Sequence, residues 1–396
     1  MKVHRDCLRL CLGKKILLLL MAGCTAASAQ TNFSSTSTGA DGALNLTTPG
    51  TVVFNPASFN PPLNPSGNNI FNFTTINIAA GVTVVLSGQN LTGPMYWLAQ
   101  GAVTIAGTLN LNGQNGAAQS QSEQTRIPAY PGAGGYAGGV GGRQLSTPPL
   151  PAQPGGGPGG GAAGTATTNS SGGTFAGSNV FLVPLVGGSG GGGGMYSDPQ
   201  VIGSGGGAGG GAILIASSTS IAITGSITAA GGFQGTCTAF CGSRGSGGAV
   251  RMISPVVTGN GSISAAQIRI ETANYSNSLI LSTPFVVSST PNLYLPTTPP
   301  GALTVVSVGG VNLPASPTAS FSVADATINA PGAVPVVVQA NNIPPGTVVT
   351  LQFFSESGTD FSVQAPALSG TLTQSTTTAQ VTFPAGFTRG YVVASW

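Results

Sequence analysis

The stretch from Gly205 to Gly231, GGGAGGGAILIASSTSIAITGSITAAG, restricts the fold more than any other part of the chain. A glycine run stops and strict alternation begins. Ile221, Ile223, Gly225, Ile227 and Ala229 share one parity, and Ala222, Thr224, Ser226 and Thr228 share the other. A period of two is a β-strand with one apolar face and one small polar face. The pattern recurs upstream in AVTIAGTLNLNG (Val103, Ile105, Gly107, Leu109, Leu111) and downstream in VVTGNGSISAA (Val257, Gly259, Gly261, Ile263, Ala265).

The copies keep register. Each follows a lead-in strand that starts after a glycine: GPMYWLAQ, GGAILIASS and GGAVRMISP. Gly225 and Gly261 are 36 positions apart, Ala212 and Ala249 are 37, and Gly107 and Gly225 are 118. A repeat of this length made of strands and turns predicts stacked coils. The expected fold class is therefore all-β: a right-handed parallel β-solenoid interrupted by a long Gly-rich insertion. One coil buries too few aliphatic side chains to offset the entropy of ordering it. Neighbouring layers must supply the rest of the burial and the backbone hydrogen bonds. Ile105, Ile223 and Ile263 are expected in neighbouring rungs.

The N-terminus reads as an export signal over residues 1–29. Lys2, Arg5, Arg9, Lys14 and Lys15 form a basic region, Ile16 to Met21 an apolar core, and Ala27-Ser28-Ala29 a small-residue cleavage site. The apolar run is too short to span a bilayer, so no transmembrane span is expected in the mature chain. A second reading stands beside the first: Met21-Ala22-Gly23-Cys24 resembles a lipoprotein box in which Cys24 carries lipid. Without residues 1–29 the chain has no Lys and no His, and its six arginines face seven acids. The basic isoelectric point belongs to the leader, and nucleic-acid binding loses its electrostatic basis. The expected location is extracellular or the outer cell surface.

Three of the five cysteines lie in that leader. The remaining pair, Cys237 and Cys241 in GTCTAFCGSRG, is expected to close a small disulfide loop at a coil corner. Zinc would need further ligands, and no metal or other cofactor is expected.

The solenoid is expected over 30–295, with an N-terminal cap at about 41–92. Within it the parity switch between Phe71, Phe73 and Thr75 and the pair Ile76, Ile78 predicts a turn or bulge. Residues 113–211 form the insertion, rich in runs such as PGGGPGGGAAGT, with one apolar island, NVFLVPLVGG. It reads either as a long flexible loop or as packed polyglycine-II-like strands or a glycine-lined ligand surface. PTTPPG at 296–301 is a stiff linker. Beyond it, 302–396 carry about seven short strands separated by turns, the pattern of an Ig-like sandwich. Trp396 is read as a terminal core residue.

Catalytic motifs are scarce. The GxGxxG at Gly205, Gly207 and Gly210 follows a glycine loop and precedes a strand, the wrong context for a dinucleotide fingerprint. A glycosidase needs two carboxylates within reach of one bond, yet Asp41, Glu123, Asp198 and Glu271 are isolated in sequence. Glu271 alternates with Arg269, which suggests a surface ion pair. Glu356 and Asp360 flank a turn expected in a sandwich hairpin. With no His outside the leader, Ser-His and Cys-His pairs are excluded. Tyr96 and Trp97 are candidates for sugar stacking or for burial beneath the insertion.

The outward row is the remaining candidate: Thr104, Thr108, Asn110, Thr224, Ser226, Thr228, Asn260 and Ser262. Repeated hydroxyls and amides on a rigid face can hydrogen-bond a glycan, although any solvated strand face poor in Lys looks similar. An ice-binding face would need Thr throughout, and this row is mixed.

On GGGAILIASSTSIAITGSITAAGG and AVTIAGTLNLNGQNG, residues 70–290 resemble glycine-rich exported bacterial β-solenoid proteins of the adhesin or filamentous-haemagglutinin-like kind. The resemblance implies attachment or surface structure and transfers no catalytic residue. The expected function is a non-enzymatic surface or extracellular protein with polysaccharide or cell-surface components as partners. The alternative is a carbohydrate-active β-helix enzyme, a lyase or hydrolase.

Overall fold

The computed structural model describes residues 33–64, 67–121, 126–144, 150–177, 180–198, 200–275, 278–289, 293, 301–314, 317, 324–329, 332–356 and 359–395. The export signal with Cys24, the body of the linker, Glu123 and Trp396 lie outside the described residues. The chain is all-β, with a curled parallel sheet and separate antiparallel sheets that resemble a sandwich. Its helical content among the described residues is one 3-10 turn, Pro56–Ser58. No helix among them is long and apolar enough to cross a membrane.

Apart from the short pair Gly142–Arg143 and Met195–Tyr196, the described parallel strands form three ladders. In the first, Ile70–Phe73, Met95–Ala99, Ala212–Ser217, Ala249–Ile253, Gln267–Glu271 and Phe285–Ser288 pair in succession. In the second, Gly42–Leu46, Ile76–Ile78, Val103–Ile105, Ser220–Ile223, Val256–Thr258 and Asn274–Tyr275 do the same. The third runs Gly50–Val53, Val82–Val85, Thr108–Asn110, Ser226–Thr228, Ser262–Ser264 and Ile280–Leu281. Strand Ile70–Ile78 serves two ladders. It changes partner between Phe73 and Ile76, which is where its buried parity switches.

The sequence spacings reappear as register. Ala212 pairs with Ala249, Ile221 with Val257, and Ile223 with Ile105. Leu109, Ile227 and Ile263 lie side by side in the third ladder. Ile263 therefore stacks on Ile227, not on Ile223, because the chain turns at Gly225 and the residues after it enter a different ladder. The turn is tight. A Cβ on Gly107 would lie 2.3 Å from the Val82 carbonyl oxygen, one on Gly225 1.9 Å from that of Gly107, and one on Gly261 2.2 Å from that of Gly225. No real Cβ approaches so closely, so these three layers need glycine at this corner.

The inward side chains form one apolar column from Leu44 through Ile105, Ile223 and Ile227 to Ile270. The segment expected as a cap, 41–92, contributes two of the layers itself. The loop after Val53 covers the open end, where Phe54 packs its ring 5.3 Å from both Phe71 and Trp97. A second apolar cluster coats the outside of the first ladder. Tyr96, Leu98, Leu214 and Ile253 meet Phe33, Phe175, Leu182 and Leu185 there.

The described residues of the insertion are packed extended chain. Segments at 113–119, 132–142, 155–164, 171–174, 187–194 and 203–211 exchange backbone hydrogen bonds with one another. Examples are Gly191 to Gly207, Gly206 to Gly139, and Gly139 to Gly191, each at 2.8–2.9 Å. This is the packed polyglycine alternative, realised as a lattice held through backbone groups. It extends past the expected boundary: residues 230–235 and 242–248 join it through Gly232 to Ala208 and Gly207 to Ser243. Runs of glycine suit such a lattice because adjacent chains approach on several sides and leave no room for Cβ atoms.

The C-terminal region has a five-stranded antiparallel sheet, ordered Val311–Asn312, Ala302–Val308, Val334–Asn341, Ser375–Val381, Ser369–Gly370. A three-stranded sheet, ordered Phe361–Gln364, Thr350–Ser355, Gly390–Ser395, faces a shared core. Val334–Asn341 alternates buried and half-buried throughout, so its inward valines, Val336 and Val338, meet Leu351 and Phe353 in that core.

Candidate functional site

The eight residues of the expected ligand row do not form one row. Thr108, Ser226 and Ser262 are register partners in the third ladder, and the Ser226 hydroxyl donates to Thr108 Oγ1 at 3.1 Å. Asn110 and Thr228 pair in the same ladder. Thr104 instead sits in the second ladder, beside Asn77 on one side and Ala222 on the other. Thr224 and Asn260 are exposed at the bends between ladders. A period of two carries parity along a strand, but the chain turns every few residues, so shared parity does not mean a shared face.

Part of this polarity is consumed internally. The Asn110 side-chain oxygen accepts from the Asn112 N–H. Asn112 Oδ1 accepts from Ala230 N–H, Asn115 Oδ1 from Phe233 N–H, and Gln119 Oε1 from Thr238 N–H, at 2.8–2.9 Å. These amides tie one layer to the next as the ladder gives way to the glycine lattice.

Tyr96 and Trp97 are both buried, pointing to opposite sides of the first ladder. Trp97 enters the central column. Tyr96 joins the outer cluster, where burial pushes its phenol up to about 12, opposed by the Arg251 charge. Neither is a stacking platform at the surface.

Glu271 corrects a sequence expectation. It is fully buried. Both Arg251, at 3.0 Å, and Arg269 bond its carboxylate. Arg251 and Arg269 are register partners on the outer side of the first ladder, so their like charges lie side by side. The Glu271 carboxylate offsets that repulsion. The apolar island closes over them: Arg269 Nη1 donates to the Val180 carbonyl, and its guanidinium lies 4.9 Å from the Phe181 ring. The burial follows from a covering segment nearly ninety residues away, which the local alternation of Arg269 and Glu271 does not reveal.

A second buried ion pair joins the insertion to the C-terminal sheets. Arg126, 1 % exposed, pairs with Asp360 at 2.9 Å and donates to the Gly141 and Pro151 carbonyls, both at 3.1 Å. Asp360 also accepts from the Ser355 N–H. A hairpin turn alone therefore does not account for Asp360. Tyr391 lies close by, and burial raises its phenol pKa while the Arg126 charge lowers it.

The remaining described carboxylates have structural partners as well. Asp41 accepts from the Asn64 and Asn72 N–H groups, Asp198 from Gln200 N–H, and Glu356 lies 3.8 Å from Arg389. Asp325 lies near Tyr130 and adds to the effect of burial in raising that phenol's pKa. Among the described residues no group of three metal-ligating side chains converges. Cys237 and Cys241 form the expected disulfide, which closes the loop between two strands of the glycine lattice.

Set against known proteins, the chain matches no family model, no curated protein and no solved structure.

Proposed function

We propose that the chain is an exported, non-enzymatic surface or extracellular protein that builds or adheres to a polysaccharide-rich surface. In this reading the curled sheet is a right-handed parallel β-solenoid of the adhesin kind and the C-terminal sheets are an Ig-like sandwich. The observation that carries the reading is the engagement of the acids. Asp41, Asp198, Glu271, Glu356 and Asp360 each hold backbone or an arginine. Glycan cleavage by paired carboxylates needs two of them facing one bond. What the scaffold offers to solvent is hydroxyl and amide groups on stiff ladders, the chemistry of neutral hydrogen bonding. The glycine lattice adds rigidity without charge.

A glycan-array measurement on the mature chain, run beside a hydrolase and lyase screen, tests this. Saturable glycan binding without turnover is expected. Turnover at enzyme-like rates would overturn the reading and favour a carbohydrate-active β-helix enzyme.

A further inference from the structure

The glycine lattice is free of charge but for one residue at its surface: of its segments, 242–248 alone holds a charged side chain, Arg244. Arg244 is exposed, and its guanidinium carbon lies 4.3 Å from the centroid of the Phe233 ring, itself 55 % exposed. Arg126, Arg251, Arg269 and Arg389 each hold a carboxylate. The Arg244 guanidinium takes no ion-pair or hydrogen-bond partner among the described residues. We infer that Arg244, Phe233 and Asn115 form a subsite for a uronate unit of an acidic polysaccharide. The inference rests on the polysaccharide reading above, adds a charge requirement to it, and places the site on the lattice instead of the ladders.

Register brings the three residues together. Gly113, Gly116 and Gln119 donate their backbone N–H groups to the carbonyls of Ala230, Phe233 and Thr236. Both chains step three residues at a time, the period of a polyproline-II-type helix, so side chains three apart share a face. On one chain that face carries Asn112, Asn115 and Ala118. On its neighbour it carries Ala230, Phe233 and Thr236, each 118 positions further on. Ala230 is half-buried and the other five are exposed. The Asn115 side-chain oxygen accepts from the Phe233 N–H at 2.9 Å, and Asn112 holds the Ala230 N–H in the same way. Segment 242–248 lies along another side of the Phe233 chain, where the Gly245 N–H donates to the Gly232 carbonyl. Amide, ring and guanidinium thus come from three hydrogen-bonded chains, and both Asn115 and Arg244 touch Phe233.

Each part suits a sugar acid. The Asn115 oxygen is occupied by Phe233, which leaves its amide N–H groups for a sugar hydroxyl. Asn112 repeats the arrangement one turn away. The Phe233 ring and the Ala230 methyl present an apolar surface to sugar C–H groups. Contact with the ring restrains Arg244 while its N–H fork stays open to a carboxylate, which arginine binds bidentately. None of the six residues on the face is acidic, so nothing there opposes an anion. A neutral sugar would have no use for the guanidinium.

Affinity electrophoresis of the full chain through gels carrying polygalacturonate, alginate, laminarin or polyglutamate tests the assignment. Arg244→Gln removes the cation, Arg244→Lys keeps the charge without the fork, and Phe233→Leu removes the ring. Asn115→Asp keeps the oxygen that holds the Phe233 N–H but replaces the donor with a negative charge. Arg389→Gln, on the C-terminal sheets, controls for the loss of one cation. Circular dichroism and thermal midpoints check the fold of each. The expected result is retardation of the wild type by at least one uronate polymer beyond that by laminarin. Binding should be about tenfold weaker for Arg244→Gln and Asn115→Asp, intermediate for Arg244→Lys and Phe233→Leu, and unchanged for Arg389→Gln. Uronate binding that Arg244→Gln retains, or an equal loss in Arg389→Gln, would overturn the subsite and leave the polysaccharide reading standing. Equal retardation by laminarin would overturn the acidic class, and equal retardation by polyglutamate would overturn the sugar. No retardation by any polysaccharide would overturn the reading on which the subsite rests.

Discussion

Gly209→Ala should damage the glycine lattice out of proportion to the one methyl group it adds. A Cβ at Gly209 would lie 1.8 Å from the Gly188 carbonyl oxygen and 2.2 Å from its carbon. Ordinary contact begins at 3.4 Å, so the two chains must separate by about 1.6 Å. Three hydrogen bonds hold that junction: Gly209 to Tyr136, Tyr136 to Gly188, and Gly188 to Gly210, at 2.8, 3.0 and 2.7 Å. Such a displacement breaks them inside the lattice. A buried peptide group left unpaired costs about 1–3 kcal/mol, so the loss should reach about 3–9 kcal/mol, a large share of a typical domain's stability of about 5–15 kcal/mol. Gly172→Ala is the control, because its Cβ would meet nothing closer than the Arg244 carbonyl oxygen at 3.4 Å. Calorimetric unfolding of both variants, with hydrogen exchange at lattice amides, reads the difference. Equal midpoints and equal exchange for the two would refute the packed lattice.

Three further outcomes follow from the buried polar groups and the disulfide. Arg126→Met leaves the Asp360 carboxylate without its cation and should cost about 3–5 kcal/mol; the double-mutant cycle with Asp360→Asn, measured by denaturant titration, should recover part of that loss as coupling. Tyr96 holds its proton more tightly folded, up to about 12, than unfolded, near 10. Its contribution is therefore intact below pH 10 and is lost as pH rises towards 12. The loss is about 3 kcal/mol, and Tyr96→Phe should flatten that part of the stability–pH curve. Replacing Cys237 and Cys241 by Ser opens a five-residue loop, and chain entropy sets the cost at about 2 kcal/mol, read as a lower thermal midpoint that reductant no longer shifts.

The layered register was legible because it rests on backbone periodicity. Spacings of 36, 37 and 118 reappear as the pairs Ile221–Val257, Ala212–Ala249 and Thr108–Ser226. The corner glycines at 107, 225 and 261 sit on the apolar parity, which marks the turn in hindsight. The row of polar residues does not hold together because parity alone does not show which ladder a residue enters after such a turn. Order in the insertion was half-legible: clustered glycines fit a flexible chain and a close-packed one equally well. The second glycine loop, 230–248, supplied the overlooked signal, since Gly231, Gly232, Gly245, Gly247 and Gly248 repeat the same composition one layer away. The buried Arg251–Glu271–Arg269 cluster and the Arg126–Asp360 tether depend on contacts between distant segments. No local pattern encodes them.

Everything proposed for this chain depends on layers that remain adjacent although the insertion separates them in sequence. Cysteines placed at Thr108 and Ser226 test that most directly, because the two hydroxyls are 3.1 Å apart across 118 residues. Mild oxidation and peptide mapping by mass spectrometry should find Thr108→Cys joined to Ser226→Cys within one chain. The shifted pair, Thr108→Cys with Ile227→Cys, should stay reduced because Ile227 points into the column. Free thiols in the first variant, or equal cross-linking in the second, would contradict the stacked register.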